Sequence, residues 1–256
     1  MNTVQIGSKT FTGPAGWADI TPRHFRQLLN WRIGLDSDPA GRWVLLELWY
    51  GIGHKYWHKL SDDNRVSLIS LLDFLDTRPE RWMLPKLRIG KRTYIGPGDG
   101  LDFLTFGEFM YAQAARDRYR SDGQPEDLAE LMASLYRPRA FFFQPSGEGY
   151  RKLFDIREHP EQIKRVSIVP VEIQQGVLMN FEGCLDRFPT QFPHLFKQSG
   201  QGDGGGSWLD VGLSLARQTS ALGTFAQLER SNLFLVLSTL DAIMKENEEL
   251  KAKLEK

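Results

Sequence analysis

Residues 4–25 read VQIGSKTFTGPAGWADITPRHF, and residues 87–109 read LRIGKRTYIGPGDGLDFLTFGEF. At a constant offset of 83, Ile6 matches Ile89, Gly7 matches Gly90 and Thr10 matches Thr93. Gly13-Pro14 then matches Gly96-Pro97, and Asp19 matches Asp102. Phe11 stands opposite Tyr94, and Lys9 opposite Arg92. One inserted residue aligns Thr21 with Thr105 and Phe25 with Phe109. An ordered series of this kind marks an internal duplication, which decides the architecture before any single element is read.

Each copy has a physical reading. Apolar–polar alternation runs into Ile-Gly, then Ser-Lys or Lys-Arg, then Thr-aromatic, which is strand, tight turn, strand. Gly-Pro ends the second strand, because proline offers no ladder donor. Thr21 or Thr105 caps a helix, with Pro22 at the first helical position of copy one. The helices bury one face through Phe25, Leu28 and Leu29, and through Phe106, Phe109 and Met110. The expected fold is α+β, mainly helical, with two small β-hairpins from the duplicated hairpin–helix unit.

Further helices are expected over Pro39 to Tyr50, and from Ser61 with Val66, Ile69, Leu72 and Leu75 inside. Others are expected over Thr105 to Tyr119, from Pro125 to Leu135, and over Val171 to Asp186. Ser121-Asp122-Gly123 reads as a turn. Residues 140–165 read as irregular, with Pro145, Gly147, Gly149 and Pro160 as breakers and Phe141-Phe142-Phe143 plugging the core; Arg165 to Val169 reads as a short strand. Ser199 to Ser207 (SGQGDGGGS) reads as a flexible linker. Ser207 is placed to cap a helix carrying Trp208, Val211 and Leu215. A last helix begins near Phe225 and follows heptads from Leu233, with Leu233, Leu240, Asn247 and Leu254 at a and Val236, Ile243 and Leu250 at d. An asparagine at a is a device that specifies a parallel dimer. These boundaries divide the chain into a first repeat (1–83), a second repeat with its extension (84–198), the linker (199–206) and a C-terminal helical pair (207–256).

With 32 basic and 32 acidic residues, formal net charge is zero, so no global field draws the chain to nucleic acid or an anionic membrane. Cys184 is the single cysteine, which leaves no internal disulfide or cysteine-based zinc site and fits a reducing compartment. The N-terminus has no signal-peptide pattern and no apolar stretch is long enough to span a bilayer, so a cytoplasmic protein is expected.

The candidate chemistry is sparse. His54 and His58, spaced i, i+4, share a helical face and can grip a metal, but HKYWH lacks the glutamate of an H-E-x-x-H site and no third ligand stands out beyond Asp62 or Asp63. Gly200-x-Gly202-x-x-Gly205 has dinucleotide spacing without a preceding strand, so the linker reading prevails. Two basic, aromatic-flanked clusters, Lys86, Arg88, Lys91, Arg92 with Tyr94 and Arg116, Arg118, Arg120 with Tyr119, are of a kind that meets phosphates. No catalytic, cofactor or metal site is expected from these residues.

Pro14-Ala15-Gly16-Trp17-Ala18-Asp19-Ile20-Thr21 with Phe25 resembles a P-x-x-W-x-x-[IL]-T-x-x-x-[FY] pattern in small proteins of phage and prophage tail modules. Leu104 to Phe109, and DLAELMASLYRP from Asp127 to Pro138, are similar to the same group, as are the Trp208 helix and the helix after Asn232. Copy two departs from the pattern, with Gly100 opposite Trp17. The resemblance implies a non-enzymatic assembly protein, a tail assembly chaperone or small virion component, whose partners are other phage assembly or tail proteins. Partner contact is expected at Phe11 and Trp17, at Arg88, Arg92 and Tyr94, and at Leu240, Ile243, Asn247 and Leu250, with homodimer or higher self-association through 233–254. The alternatives are a nucleic-acid-contacting packaging factor and a metal-dependent hydrolase using His54 and His58.

Overall fold

Both copies of the repeat form hairpins in the same register. β1 (Asn2–Ile6) and β2 (Lys9–Gly13) pair antiparallel with Val4 opposite Phe11. β3 (Lys86–Ile89) and β4 (Arg92–Ile95) pair with Leu87 opposite Tyr94. Each two-residue turn opens on a left-handed residue, and Gly7 (φ 61°) and Gly90 (φ 58°) adopt it without steric cost. In this computed structural model, which describes residues 1–34, 39–144, 149–197, 208–218 and 224–254, the likeness continues past the strands. A short 3-10 turn follows each Gly-Pro, at Trp17–Asp19 and Asp99–Leu101. Buried Ile20 or Leu104 comes next, then the threonine cap of α1 (Pro22–Gly34) or α5 (Phe106–Asp122).

The caps are reciprocal in both copies. The His24 amide donates to Thr21 Oγ1 (3.2 Å) while the Thr21 amide donates to His24 Nδ1 (3.4 Å). Thr105 does the same with Glu108, at 3.3 and 3.0 Å. Such a box satisfies donors that the first helical turn leaves open. The aligned Phe25 and Phe109 are both fully buried.

The two Gly-Pro glycines also do the same job. Gly13 lies against the ring of Tyr50, and Gly96 against the indole of Trp82, each so close that a Cβ would overlap the ring. Gly13→Ala and Gly96→Ala are therefore each expected to lower stability by about 1–3 kcal/mol. Thermal unfolding followed by circular dichroism checks this; unchanged midpoints in both variants would show that the rings move aside freely.

Beyond this point the copies diverge. Among the described residues β1 and β2 form a two-stranded sheet by themselves. The second hairpin is widened by β5 (Arg137–Gln144) and β6 (Gly149–Arg151) into a four-stranded sheet of order β3-β4-β5-β6. Part of the stretch expected to be irregular is thus strand. Pro138 does not forbid it, because proline is tolerated near the start of a strand, and here it stands opposite Tyr94. Residues expected as a strand from Arg165 are instead the end of α7 (His159–Val166) and the turn into α8 (Val171–Leu185).

The helices between the hairpins follow the expected order. A 3-10 turn at Pro39–Arg42 leads into α2 (Trp43–Tyr50), then come the short α3 (His54–Trp57) and α4 (Asp62–Ile69), whose cap Ser61 accepts from the Asn64 amide. The chain tightens to 3-10 over Ser70–Asp76, which changes the residue phase. Leu72 and Leu75 are buried as expected, but Val66 is 66% exposed. α6 (Pro125–Leu135) buries Leu128, Leu131, Met132 and Leu135, and Gly123 ends α5 before it in a left-handed cap.

At the C-terminus α9 (Phe188–Gln191), α10 (Pro193–Lys197) and α11 (Trp208–Gln218) precede α12 (Phe225–Arg230) and α13 (Leu233–Leu254). The single helix expected from Phe225 is broken at Ser231-Asn232. That break is fastened to the start of α5: the Phe106 amide donates to Ser231 O, the Leu233 amide to Leu104 O (both 2.9 Å), and Asn232 Nδ2 to Asp102 O (2.8 Å). The expected linker at 199–206 and the Ser207 cap lie outside the described residues.

One apolar cluster runs through all these parts. It joins Phe25 and Leu46 of the first repeat to Phe109 and Leu131 of the second, to Phe181 of α8 and to Leu233 of α13. Among the described residues no helix is long and apolar enough to cross a membrane.

Candidate functional site

The second hairpin carries the most open chemistry. Among the described residues β3 is an edge strand with β4 on one side only. The Gly96 amide donates to Pro85 O (3.0 Å). Hydrogen-bonded pairs alternate along an antiparallel ladder, so Pro85, Leu87 and Ile89 turn their backbone groups toward β4. Lys86 and Arg88 turn theirs outward, where no hydrogen bond reaches them among the described residues. Leu87 and Ile89 are buried on the inner face, while the Lys86 and Arg88 side chains are exposed on the other.

Beside this edge lies a groove of about 420 Å³. Leu87 and Ile89 form one wall, and Ile168 and Val169 of the turn into α8, with Ile173 of α8 itself, form the other. Arg26 of α1 and Arg88 stand at its rim, and no carboxylate lines it among the described residues. Ile168 is 72% exposed, an uncommon placement for so large an apolar side chain. Arg26, Lys86, Arg88, Lys91 and Arg92 make no ion pair among the described residues.

The other basic cluster is spoken for. Arg116 pairs with Asp117, Arg118 with Asp127 and Glu130, and Arg120 with Glu182. Side-chain bonds to Glu182 hold the Arg120 guanidinium above its ordinary value despite partial burial.

The structure sorts the residues expected at partner surfaces. Arg88 and Arg92 are exposed on the hairpin. Tyr94, expected on the rim beside them, is in the core at 1% exposure, a correction. Its register opposite Leu87 puts it on the inner face, and β5 covers β4. Phe11, its counterpart, is half-buried against Tyr56 with ring centroids 5.1 Å apart. Trp17 is half-buried too, edge-on to Phe25 and Phe74, and its indole donates to Thr77 Oγ1 (3.0 Å). It is a packing residue between the first hairpin and the helices after it.

The heptad residues divide as well. Leu233, Val236, Leu237 and Leu240 are buried, so Leu240 serves the chain's own core rather than a free surface, and Ile243 packs partly against it. Asp241 Oδ1 accepts both the His194 and Leu195 amides (2.8 Å each), and His194 Nδ1 lies 2.9 Å from Glu248, which fixes α13 to α10. Asn247 and Leu250, on either side of Glu248, are exposed.

His54 and His58 are exposed with their Nε2 atoms 2.6 Å apart, beside the rings of Trp43 and Trp57. No group of three or more metal-capable side chains surrounds them among the described residues. Cys184 is buried and donates to Glu80 O; burial pushes its thiol up to about 12, far from a reactive thiolate.

A buried polar cluster lies under the second sheet, and the sequence reading missed it. Glu108 is completely buried. Its Oε1 accepts from Arg137 Nε (2.9 Å) and Arg151 Nη2 (3.0 Å), and its Oε2 from the Thr105 amide (3.0 Å) and Oγ1 (3.1 Å). Burial alone would raise the Glu108 carboxyl, but Arg151, Arg137 and the Thr105 amide outweigh it and hold it below its ordinary value. The two arginines also bond the carbonyls of Ser134 and Leu135, which end α6, where cations suit the helix dipole. His159 sits beside the cluster, 4% exposed, against the rings of Tyr111 and Phe154, and among the described residues neither ring nitrogen has a partner. The bonds of Glu108, Arg137 and Arg151 join α5, α6, β5 and β6, so these three residues are a staple of the fold.

The open hairpin edge with its groove is therefore the surface best equipped for a partner. The chain matches no protein-family model, no curated protein and no solved structure.

Proposed function

We propose that the chain is a non-enzymatic assembly protein of a phage or prophage tail module, a tail assembly chaperone or small virion component, acting in the host cytoplasm by binding other proteins. The observation that carries the reading is the edge of β3: unpaired backbone groups at Lys86 and Arg88 lie beside an apolar groove with an exposed Ile168. Sheet edges left open in this way take up polypeptide partners. The resemblance of residues 14–25, 104–109 and 127–138 to tail-module proteins supplies the biological setting.

The test is co-expression of the full chain with the products of its neighbouring genes, followed by size-exclusion chromatography with light scattering. A stable complex with at least one neighbour, of summed mass, is expected. The chain eluting alone in every pairing overturns the reading. A very long helical tape-measure protein among those neighbours would strengthen the tail assignment.

A further inference from the structure

We propose that the β3 edge receives an extended segment of a partner polypeptide in which apolar and acidic residues alternate, paired as a fifth strand of the second sheet. The inference rests on the assembly reading above and adds the chemistry of the partner.

Three observations converge on this occupant. The outward backbone groups of Lys86 and Arg88 give an added strand a ladder to pair with. Side chains of an added strand point alternately to the two sheet faces. On the inner face they descend between the hairpin and the wall formed by Ile168, Val169 and Ile173, which accepts apolar groups. On the outer face they stand beside the Lys86 and Arg88 side chains, exposed cations without an ion-pair partner among the described residues. Arg26 adds a further free cation at the groove's rim, and Lys91 and Arg92 add two at the hairpin tip. The period of two in this surface thus calls for a complementary period of two in the ligand.

A nucleic acid fits less well. Its phosphates would meet the cations, but an apolar wall and a free strand edge offer them nothing. Tyr94, the hairpin aromatic suited to stacking a base, is buried.

The experiment measures fluorescence anisotropy of a fluorescein-labelled decapeptide of alternating valine and glutamate, titrated with the full chain at low and moderate salt. Saturable binding is expected. Arg88→Glu should weaken it at least tenfold, and so should Ile168→Glu, which alters the wall without touching the core because Ile168 is 72% exposed. Methylating alternate peptide nitrogens should abolish binding in one of the two registers, since it removes ladder donors but keeps every side chain. An alternating valine–lysine decapeptide should not bind. Circular dichroism of the two variants confirms that they fold.

The proposal is overturned if neither N-methylated register loses affinity, if both variants bind as the parent does, if no peptide binds, or if a twenty-residue deoxythymidine strand binds in place of the peptide. A chain that forms a complex with a neighbour yet fails these tests loses the groove assignment and keeps the assembly role. A chain that passes them but elutes alone from every neighbour keeps the groove and loses the tail-module setting.

Discussion

Glu108→Gln is expected to be among the most damaging single substitutions in this chain, lowering stability by about 3–5 kcal/mol. The reason is the charge left behind. Arg137 and Arg151 are 5% and 0% exposed, and Glu108 is the carboxylate that both of them bond. Glutamine keeps the shape and loses the charge, so both buried guanidinium groups lose the carboxylate that they share. The same change weakens the acceptor in the α5 capping box. For a chain of this length the loss corresponds to a fall in Tm on the order of 10 °C. Equilibrium denaturation in urea reads it directly. A loss under about 1 kcal/mol would mean that solvent already reaches the cluster. Replacing all three residues with methionine or leucine should restore much of the loss, because a buried ion cluster is often no more stable than well-packed apolar side chains.

The second large effect is a dependence on acidity. Burial, helped by the neighbouring Arg137, lowers His159 from its ordinary 6.5 to about 4. In the unfolded chain the imidazole takes up its proton near the ordinary value; in the folded chain it resists until about pH 4. The folded state therefore holds fewer protons between these limits. The contribution is fully present above pH 6.5, is lost as pH falls toward 4, and changes no further below that. Its size is about 3 kcal/mol. His159→Phe removes the titration and also two ring nitrogens that lack partners, so it should leave stability at pH 7 unchanged or improved. The difference between parent and variant, followed by thermal unfolding from pH 7.5 to 4, should widen in the variant's favour as pH falls. Parallel curves would sink this account of His159.

The contrast between legible and hidden features has physical causes. The hairpins could be read because glycine at a two-residue turn and alternation on either side are local signals. The caps of α1 and α5 were equally local. Glu108 was hidden because nothing near it in sequence marks it as charged and buried: its arginines lie 29 and 43 residues downstream. β5 was hidden because Pro138 and the glycines after it resemble breakers, and only pairing with β4 makes the stretch a strand. Tyr94 was misplaced for the same reason, since whether the outer or the inner face of a hairpin is covered depends on its neighbours. Of the candidate site, Arg88 and Arg92 were legible as members of a basic cluster. Ile168 was not, because the groove it walls exists only when α8 is brought beside β3. The heptad pattern was real, but a stripe of leucines does not say whose core it fills. Leu240 fills its own.

The fastening of the α12–α13 break to the start of α5 has a consequence for biosynthesis. Asn232 and Asp102 are 130 residues apart in sequence, yet they meet at the threshold of the second repeat's helix. The capped end of α5 cannot acquire its final backbone partners until Ser231 to Leu233 have left the ribosome. A nascent chain paused before that point holds Phe106 and Leu104 without these backbone partners. Contacts of such sequence separation slow folding, so the closing step is expected to be docking of the C-terminal helices, after the hairpins have formed.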